Sequence, residues 1–376
     1  MDISLIKEKI AQISDPELRM PFGKLNMLEA CTFSDGKLSV TIKLTIGGCP
    51  MKAEIENLIK NEIKNFPEVS SVEVSFTAMN EEERNQVKKI LRGGREKVAP
   101  FALPDNLTRV IGIASGKGGV GKSTLTANLA IAFAKENFKV AVLDADIYGH
   151  SIPRLFNLID QHPTNIDQTF IPLESFGVKV VSIEMFKQSR LDPVAYRGPL
   201  LHKVLEQLLA DAYWGDLDFL LLDLPPGTGD IAISLGQLIP NSEILVVTTP
   251  QIAASEVAER AGRIAHQMKQ KILGVVENYS YLICEKCGTH QYIFGEGGGE
   301  RTAKALSELT GEKVELLAKV PFEPKLREDS DNGHAFFLEN LDLSSSPNQS
   351  IAAITQLAKK LTIRSNSLVG RSLPLN

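Results

Sequence analysis

The chain has 376 residues, 43% hydrophobic and 23% charged, an ordinary balance for a globular protein with room for about two domains. Its net charge of −5 gives no electrostatic basis for holding nucleic acid, whose binders carry a basic face. The start Met1-Asp2-Ile3-Ser4 lacks the basic and apolar regions of a signal peptide, and no apolar run is long enough for a bilayer span. Four cysteines are too few for a disulfide framework, so a reducing, cytoplasmic setting away from membranes is expected.

Residues 1–78 read as a small α+β domain in the order helix, strand, helix, strand. Leu38, Val40, Ile42 and Leu44 alternate with polar residues, the period of a half-buried strand. Pro50 suits a first helical turn, and Met51, Ile55, Leu58, Ile59 and Ile63 follow at helical spacing. Val72, Val74 and Phe76 alternate again. Residues 79–107 turn charged and then rich in breakers, Gly93-Gly94, Pro100 and Pro104, as expected of a short charged helix and an extended linker.

From residue 108 to 363, apolar strands alternate with helical stretches. The strands fall at 110–115, 139–144, 178–183, 219–223, 244–248, 273–278 and 316–320. Several are continuous apolar runs, the pattern of strands covered on both faces. This predicts an α/β fold, a doubly wound, mostly parallel sheet forming a P-loop NTPase core. Ile351, Ile354, Leu357, Ala358 and Leu361 make an apolar helix face expected to pack on that sheet. Residues 364–376, rich in Ser, Arg and Pro, read as a loose tail.

Gly116-Lys117-Gly118-Gly119-Val120-Gly121-Lys122-Ser123 fits the phosphate-binding pattern Gly-x-x-x-x-Gly-Lys-Ser, and Thr124 continues it into a helix. The glycines let backbone N–H groups turn around phosphate oxygens, and the helix N-terminus adds its positive end. Lys122 is expected on the β/γ phosphates of ATP, with the Ser123 hydroxyl on Mg²⁺. Asp223 ends an apolar strand, as an acid supporting the Mg²⁺ shell does. Asp144 and Asp146 end another strand, facing the ligand crevice. The glycines of Pro225-Pro226-Gly227-Thr228-Gly229-Asp230 suit a loop that moves with the γ-phosphate, and Asp230 suits a helix cap. Lys117, directly after the first glycine, is not demanded by an ordinary P-loop. It resembles the deviant Walker A of the MinD/ParA/nitrogenase-iron-protein class. That resemblance implies that Lys117 reaches a partner's nucleotide across a dimer and that Asp146 orients the attacking water, while Asp144 supports the metal or the loop. It also implies that Asn278 reads the adenine edge. Pro321-Phe322 lines the base pocket or packs the core.

Cys284-Glu285-Lys286-Cys287 supplies two thiolates where a zinc site or cubane cluster wants four ligands. His290 and Cys49 are possible completions, and a symmetric dimer supplies four cysteines more economically. A redox pair is the rival. The run from Glu277-Asn278-Tyr279-Ser280 to Cys287-Gly288, with Ile293-Phe294-Gly295-Glu296-Gly297-Gly298-Gly299, resembles the Mrp/ApbC family of iron–sulfur carrier ATPases. So do Asp144-Ala145-Asp146-Ile147-Tyr148-Gly149-His150-Ser151-Ile152-Pro153 and Asp223-Leu224-Pro225-Pro226-Gly227-Thr228-Gly229-Asp230. The resemblance implies a homodimer that hydrolyses ATP slowly, holds a [4Fe-4S] cluster between paired Cys284 and Cys287, and passes it from an assembly scaffold to apo iron–sulfur proteins.

The amino-terminal part resembles the metal–sulfur-cluster assembly domain often fused ahead of such ATPases. Asp15-Pro16-Glu17 and Leu44-Thr45-Ile46-Gly47-Gly48-Cys49-Pro50 carry the likeness, and Met20-Pro21-Phe22-Gly23-Lys24 departs from it. Cys49 is placed either as a metal-handling thiol, activated at a helix start, or as a buried small hydrophobe, whereas Cys31 is expected in the core. Two other readings are a MinD/ParA-like positioning ATPase and a zinc-clamped, nucleotide-switched scaffold.

Overall fold

A computed structural model describes residues 3–45, 51–91, 99–147, 149, 151–166, 169–187, 199–227, 230–284, 286–333 and 348–363. Pro50 and Cys49, both linker glycines, Gly93 and Gly94, and the residues after 363 lie outside them. The chain divides into two compact units, Met1–Lys97 with Thr164–Ile171, and Val98–Pro163 with Pro172–Asn376.

The first unit contains α1 (Ile3–Gln12), β1 (Leu28–Ser34), β2 (Lys37–Leu44), α2 (Lys52–Ile63), β3 (Ser71–Ala78) and α3 (Glu81–Leu91). Its three-stranded sheet runs β1-β2-β3, with β2 antiparallel to β1 and parallel to β3. The alternation read in the sequence puts Leu38, Val40, Ile42 and Leu44 of β2 into the core, met by Ile6 and Ile10 of α1 and by Ile55, Ile59 and Ile63 of α2. Strand β1 is additional to the helix–strand–helix–strand order expected. Cys31 is its one buried residue, so it carries no apolar alternation. Its signal is Asp35-Gly36, where φ values of 50° and 79° form the left-handed two-residue turn that matches strand twist.

In the second unit the chain runs β4 (Arg109–Ser115), α4 (Lys122–Lys135), β5 (Val140–Asp144) and α5 (Ile152–Leu155). A short antiparallel hairpin, β6 (Thr164–Ile166) and β7 (Thr169–Ile171), belongs to the first unit. The second unit resumes with β8 (Leu173–Ser175), β9 (Val178–Ser182), α6 (Pro199–Asp211), β10 (Phe219–Asp223), α7 (Asp230–Leu238), β11 (Glu243–Thr248) and α8 (Ile252–Gln267). It closes with β12 (Lys271–Ile283), β13 (His290–Gln291), α9 (Gly298–Thr310), β14 (Leu316–Phe322), α10 (Pro324–Asp331) and α11 (Gln349–Thr362).

The nine-stranded sheet has the order β13-β12-β11-β4-β10-β5-β9-β8, with β14 beside β12. Its central pairings are parallel, and only β8 and β13 run against their neighbours. The expected α/β, mostly parallel architecture is therefore present. Residues 183–186, read partly as strand, instead form a short 3₁₀ turn.

Apolar runs in β4, β5, β10 and β11 are buried because helices cover both faces. On one face Phe133 of α4 stacks on Phe219 of β10 at 4.3 Å, and Phe138 meets Phe219 edge-on at 5.2 Å. Ile351, Ile354, Leu357, Ala358 and Leu361 of α11 enter the same core, as their spacing predicts. Truncating Phe133 to Ala removes a fully buried stacked ring. We expect a loss of about 3–5 kcal/mol in the urea transition that unfolds this unit.

Candidate nucleotide and thiol sites

Strand β10 pairs with both β4 and β5, setting Asp223 opposite Ile113 on one side and Asp144 on the other. The glycine loop begins where β4 ends, and the N-terminus of α4 starts at Lys122. Gly116 is required by a close approach: a Cβ there would lie 2.3 Å from the backbone at Val257 and Ala258 of α8. Asn278, at the bend in β12, donates its Nδ2 to Val120 O at 2.9 Å and so holds the loop from the other side.

Lys122 is buried and its Nζ lies 2.7 Å from Asp223 Oδ2. Ser123 donates its hydroxyl to the same oxygen at 2.5 Å. Thr126 Oγ1 stands 2.9 Å from Asp223 Oδ1. Thr126 was absent from the sequence reading, although it lies three residues beyond Ser123 and hence on the same helix face.

Asp144 is fully buried and accepts N–H bonds from Asp146 at 3.1 Å and Ile152 at 3.4 Å, and the Ser182 hydroxyl at 3.3 Å. It therefore anchors the segment from Asp146 to α5. Burial, followed by the nearby charge of Asp223, pushes its carboxyl well above the ordinary range, with Lys122 opposing. Asp146 Oδ1 accepts the Gly149 N–H at 3.0 Å. The loop after Asp223 is tied back to β4, with Leu224 N–H donating to Ile113 O at 3.1 Å and Gly227 N–H to Ser115 O at 2.8 Å. Thr228 and Gly229 lie outside the described residues, as does the side chain of Asp230, the first residue of α7. Lys117 is solvent-exposed.

Beside the loop lies a cavity of about 200 Å³, lined by Thr124, Leu125, Asn278, Pro321, Phe322 and Glu323 among others. Phe322 therefore faces the cavity. Oε2 of Glu323 is buried there with no hydrogen-bond partner among the described residues, and burial raises the carboxyl pKa against contacts from Ser350 and Asn348. Asn278 lines this cavity while one N–H of its amide is engaged with the P-loop, which leaves its Oδ1 and second N–H for a base.

Past Asn278, β12 continues to Ile283 and delivers Cys284 to an exposed turn. Cys284 N–H donates to Thr289 O at 3.0 Å, and Gly288 N–H donates to Cys284 O at 2.8 Å. Cys284 is half-buried and Cys287 exposed. Cys287 Sγ lies 3.3 Å from Thr289 Oγ1. That contact, with the Thr289 backbone and Cys284 behind it, holds the Cys287 thiol below its ordinary pKa. His290 stacks on Tyr281 with ring centroids 4.1 Å apart. Among the described residues, no group of three or more His, Cys, Asp or Glu side chains is placed to hold a metal ion. Cys31 is buried, and Cys49 lies outside the described residues.

A glycine loop between strand and helix, with an acid closing the neighbouring strand, defines a P-loop NTPase. A family model described as NUBPL iron-transfer P-loop NTPase matches residues 106–362, and one described as iron–sulfur cluster assembly protein matches residues 4–76. The chain belongs to the NUBPL iron-transfer P-loop NTPase family. It is 50% identical over 374 residues to the iron–sulfur cluster carrier protein of Mycobacterium tuberculosis strain H37Rv, covering 99% of this chain and 96% of that one. The protein of the same name from Bacillus subtilis is 35% identical over 318 residues, covering 84% and 87%. Among solved structures, a nucleotide-binding protein of Archaeoglobus fulgidus in complex with ADP is 34% identical, with a TM-score of 0.53, covering 66% of this chain and 98% of that one. The resemblance to iron–sulfur carrier ATPases read from the motifs agrees with these relatives.

Asp144 generates a test with a definite sign. Its folded pKa is raised, so its contribution to stability is complete below the unfolded carboxylate value and is lost as pH rises through the folded one. Asn cannot titrate, so the stability of Asp144→Asn relative to wild type should increase with pH above the ordinary carboxylate range. Asp144→Ala should instead cost about 1–3 kcal/mol, because buried N–H donors lose their acceptor. Denaturant melts at several pH values measure both.

Proposed function

We propose that this protein binds and hydrolyses ATP in the cytoplasm and, as a homodimer, carries a [4Fe-4S] cluster from an assembly scaffold to apo iron–sulfur proteins. The observation that carries the reading is that the strand bearing Asn278 leads directly into Cys284. Asn278 grips the P-loop, and the strand ends one residue before Cys284. One chain offers two thiols in an exposed turn, which supports completion of the ligand set by the same turn of a second copy.

In this reading the loop Gly116–Ser123 and Thr124 bind the phosphates, and Lys122 exchanges its Asp223 partner for phosphate oxygens. Ser123 and Asp223 together present hard oxygen atoms, which suit Mg²⁺. Such an ion would neutralise β/γ-phosphate charge. Lys117, free to extend into solvent, reaches the partner's nucleotide and links ATP binding to dimerisation. Asp146 aims the attacking water, while Asp144 keeps the segment carrying Asp146 in place. Asn278 Oδ1 accepts from the adenine amino group inside the cavity. Nucleotide state then alters how tightly the paired Cys284 and Cys287 hold the cluster. The amino-terminal residues 1–78 act as the assembly-like domain, joined by 79–107 to the ATPase at 108–363, with 364–376 as a tail.

Anaerobic reconstitution with iron and sulfide should yield about four irons per dimer and the visible absorption of a thiolate-bound cluster. Both should be lost in Cys284→Ala and Cys287→Ala. Zinc in place of iron would favour a nucleotide-switched scaffold. Binding to liposomes or DNA with no cluster would favour a positioning ATPase. Separately, Asp146→Asn should slow ATP hydrolysis by about 10²–10⁴-fold while still binding a fluorescent ATP analogue, the usual range for a group that manages a proton or water. Unchanged turnover would remove Asp146 from the hydrolytic step.

A further inference from the structure

The register of β12 against β14 shifts between Asn278 and Leu282, and within that break Tyr279 has a φ of 57°. An L residue outside glycine rarely holds this left-handed conformation, and it persists where surrounding packing over-determines it. Three neighbours supply that packing. The phenol end of Tyr279 stands over the P-loop, since a Cβ on Gly121 would lie 2.5 Å from its hydroxyl oxygen and 2.9 Å from Cζ. Its ring meets Phe322, on the wall of the cavity, edge-on at 5.5 Å. On another side it packs at 6.2 Å against Phe294, in the segment joining the thiol turn and β13 to α9.

Tyr279 is thus one side chain touching the P-loop, the cavity wall and the chain leaving the thiol turn. Its own strand runs on through Ile283 to Cys284. The extended region is the lower-energy well for a tyrosine backbone, so a shift of the loop at Gly121 bears on a contact that helps hold this residue out of that well. Close-packed interiors pass such a shift to neighbours rather than absorb it.

We infer that Tyr279 is the positioning residue through which nucleotide at the P-loop acts on the Cys284–Cys287 turn. This rests on the proposed reading in which ATP and the thiol pair work together. It differs from that reading in assigning the coupling to one side chain on β12.

The test uses full-length, reduced, metal-free protein and needs no cluster. Alkylation of Cys287 by iodoacetamide is followed peptide by peptide, with and without MgADP or a non-hydrolysable ATP analogue. Each variant is held at a nucleotide concentration shown by fluorescence titration to saturate it. In wild type, nucleotide should change the Cys287 rate about fivefold, the low end of ordinary coupling between sites. In Tyr279→Leu the rates with and without nucleotide should coincide. A wild-type rate indifferent to nucleotide, or a full response in Tyr279→Leu, overturns the proposal. If Tyr279→Leu cannot be saturated, Tyr279→Phe decides, because it keeps the ring and removes only the hydroxyl above Gly121. A response reduced well below wild type supports the assignment, and one equal to wild type overturns it. Iron content after reconstitution tests the carrier reading independently, so the two can fail separately.

Discussion

The nucleotide end of this protein depends on how β10 is paired. Held in parallel register between β4 and β5, it ends level with β5, so Asp223 and Asp144 finish side by side at one edge of the sheet. Two buried carboxylates so close do not both ionise cheaply. Lys122 sits 2.7 Å from Asp223, while Asp144 accepts backbone and hydroxyl donors and burial pushes its carboxyl well above the ordinary range. The same register therefore assigns the two acids different work. Asp223 faces the cation and the helix hydroxyls, and Asp144 fastens the chain that follows it. Removing either member of the Lys122–Asp223 pair leaves a buried charge uncompensated, which costs more than the pair contributes.

Much of this was legible in the sequence because it is local. A strand, a glycine loop and a helix follow one another within a short window, and strands covered on both faces announce themselves as continuous apolar runs. What escaped was of another kind. Strand β1 buries only Cys31 and is recruited by the Asp35-Gly36 turn rather than by a pattern of its own. Strands β6, β7, β8 and β13 are three residues or shorter, too short to display a period. Strand β12 outruns the expected end at Asn278 by five residues, Tyr279 to Ile283, paired there to β13 and β14.

Site residues divide the same way. Lys122, Ser123 and Asp223 converge as the motif requires, whereas the grip of Asn278 on Val120 joins residues 158 positions apart and has no signature in any window. The sequence reading assigned that amide to a base. One of its N–H groups is bonded to the loop, which fixes the orientation of the amide beside the cavity. Glu277, one residue earlier, performs a parallel task. Its Oε2 accepts the Gly299 N–H at 2.6 Å at the start of α9, where a carboxylate is favoured by the exposed donors and the helix dipole. Adjacent residues of β12 thus fasten two glycine-bearing loops, one at the start of α4 and one at the start of α9.

That arrangement gives the strand different mechanical properties along its length. At Glu277 and Asn278 it is buried and bonded at both sides, and little can move there without breaking hydrogen bonds that water would not replace. Beyond Ser280 burial declines, until Cys287 stands exposed with its thiol held below its ordinary pKa by the Thr289 hydroxyl. A thiol pair placed this way is partly accessible and, among the described residues, short of a full tetrahedral set. Those are poor properties for a permanent structural metal site, which is closed and four-coordinate within its own fold. They agree with the proposed carrier role, in which a second copy completes the set. Rigidity at the nucleotide and openness at the thiols are thus consequences of one strand leaving the core.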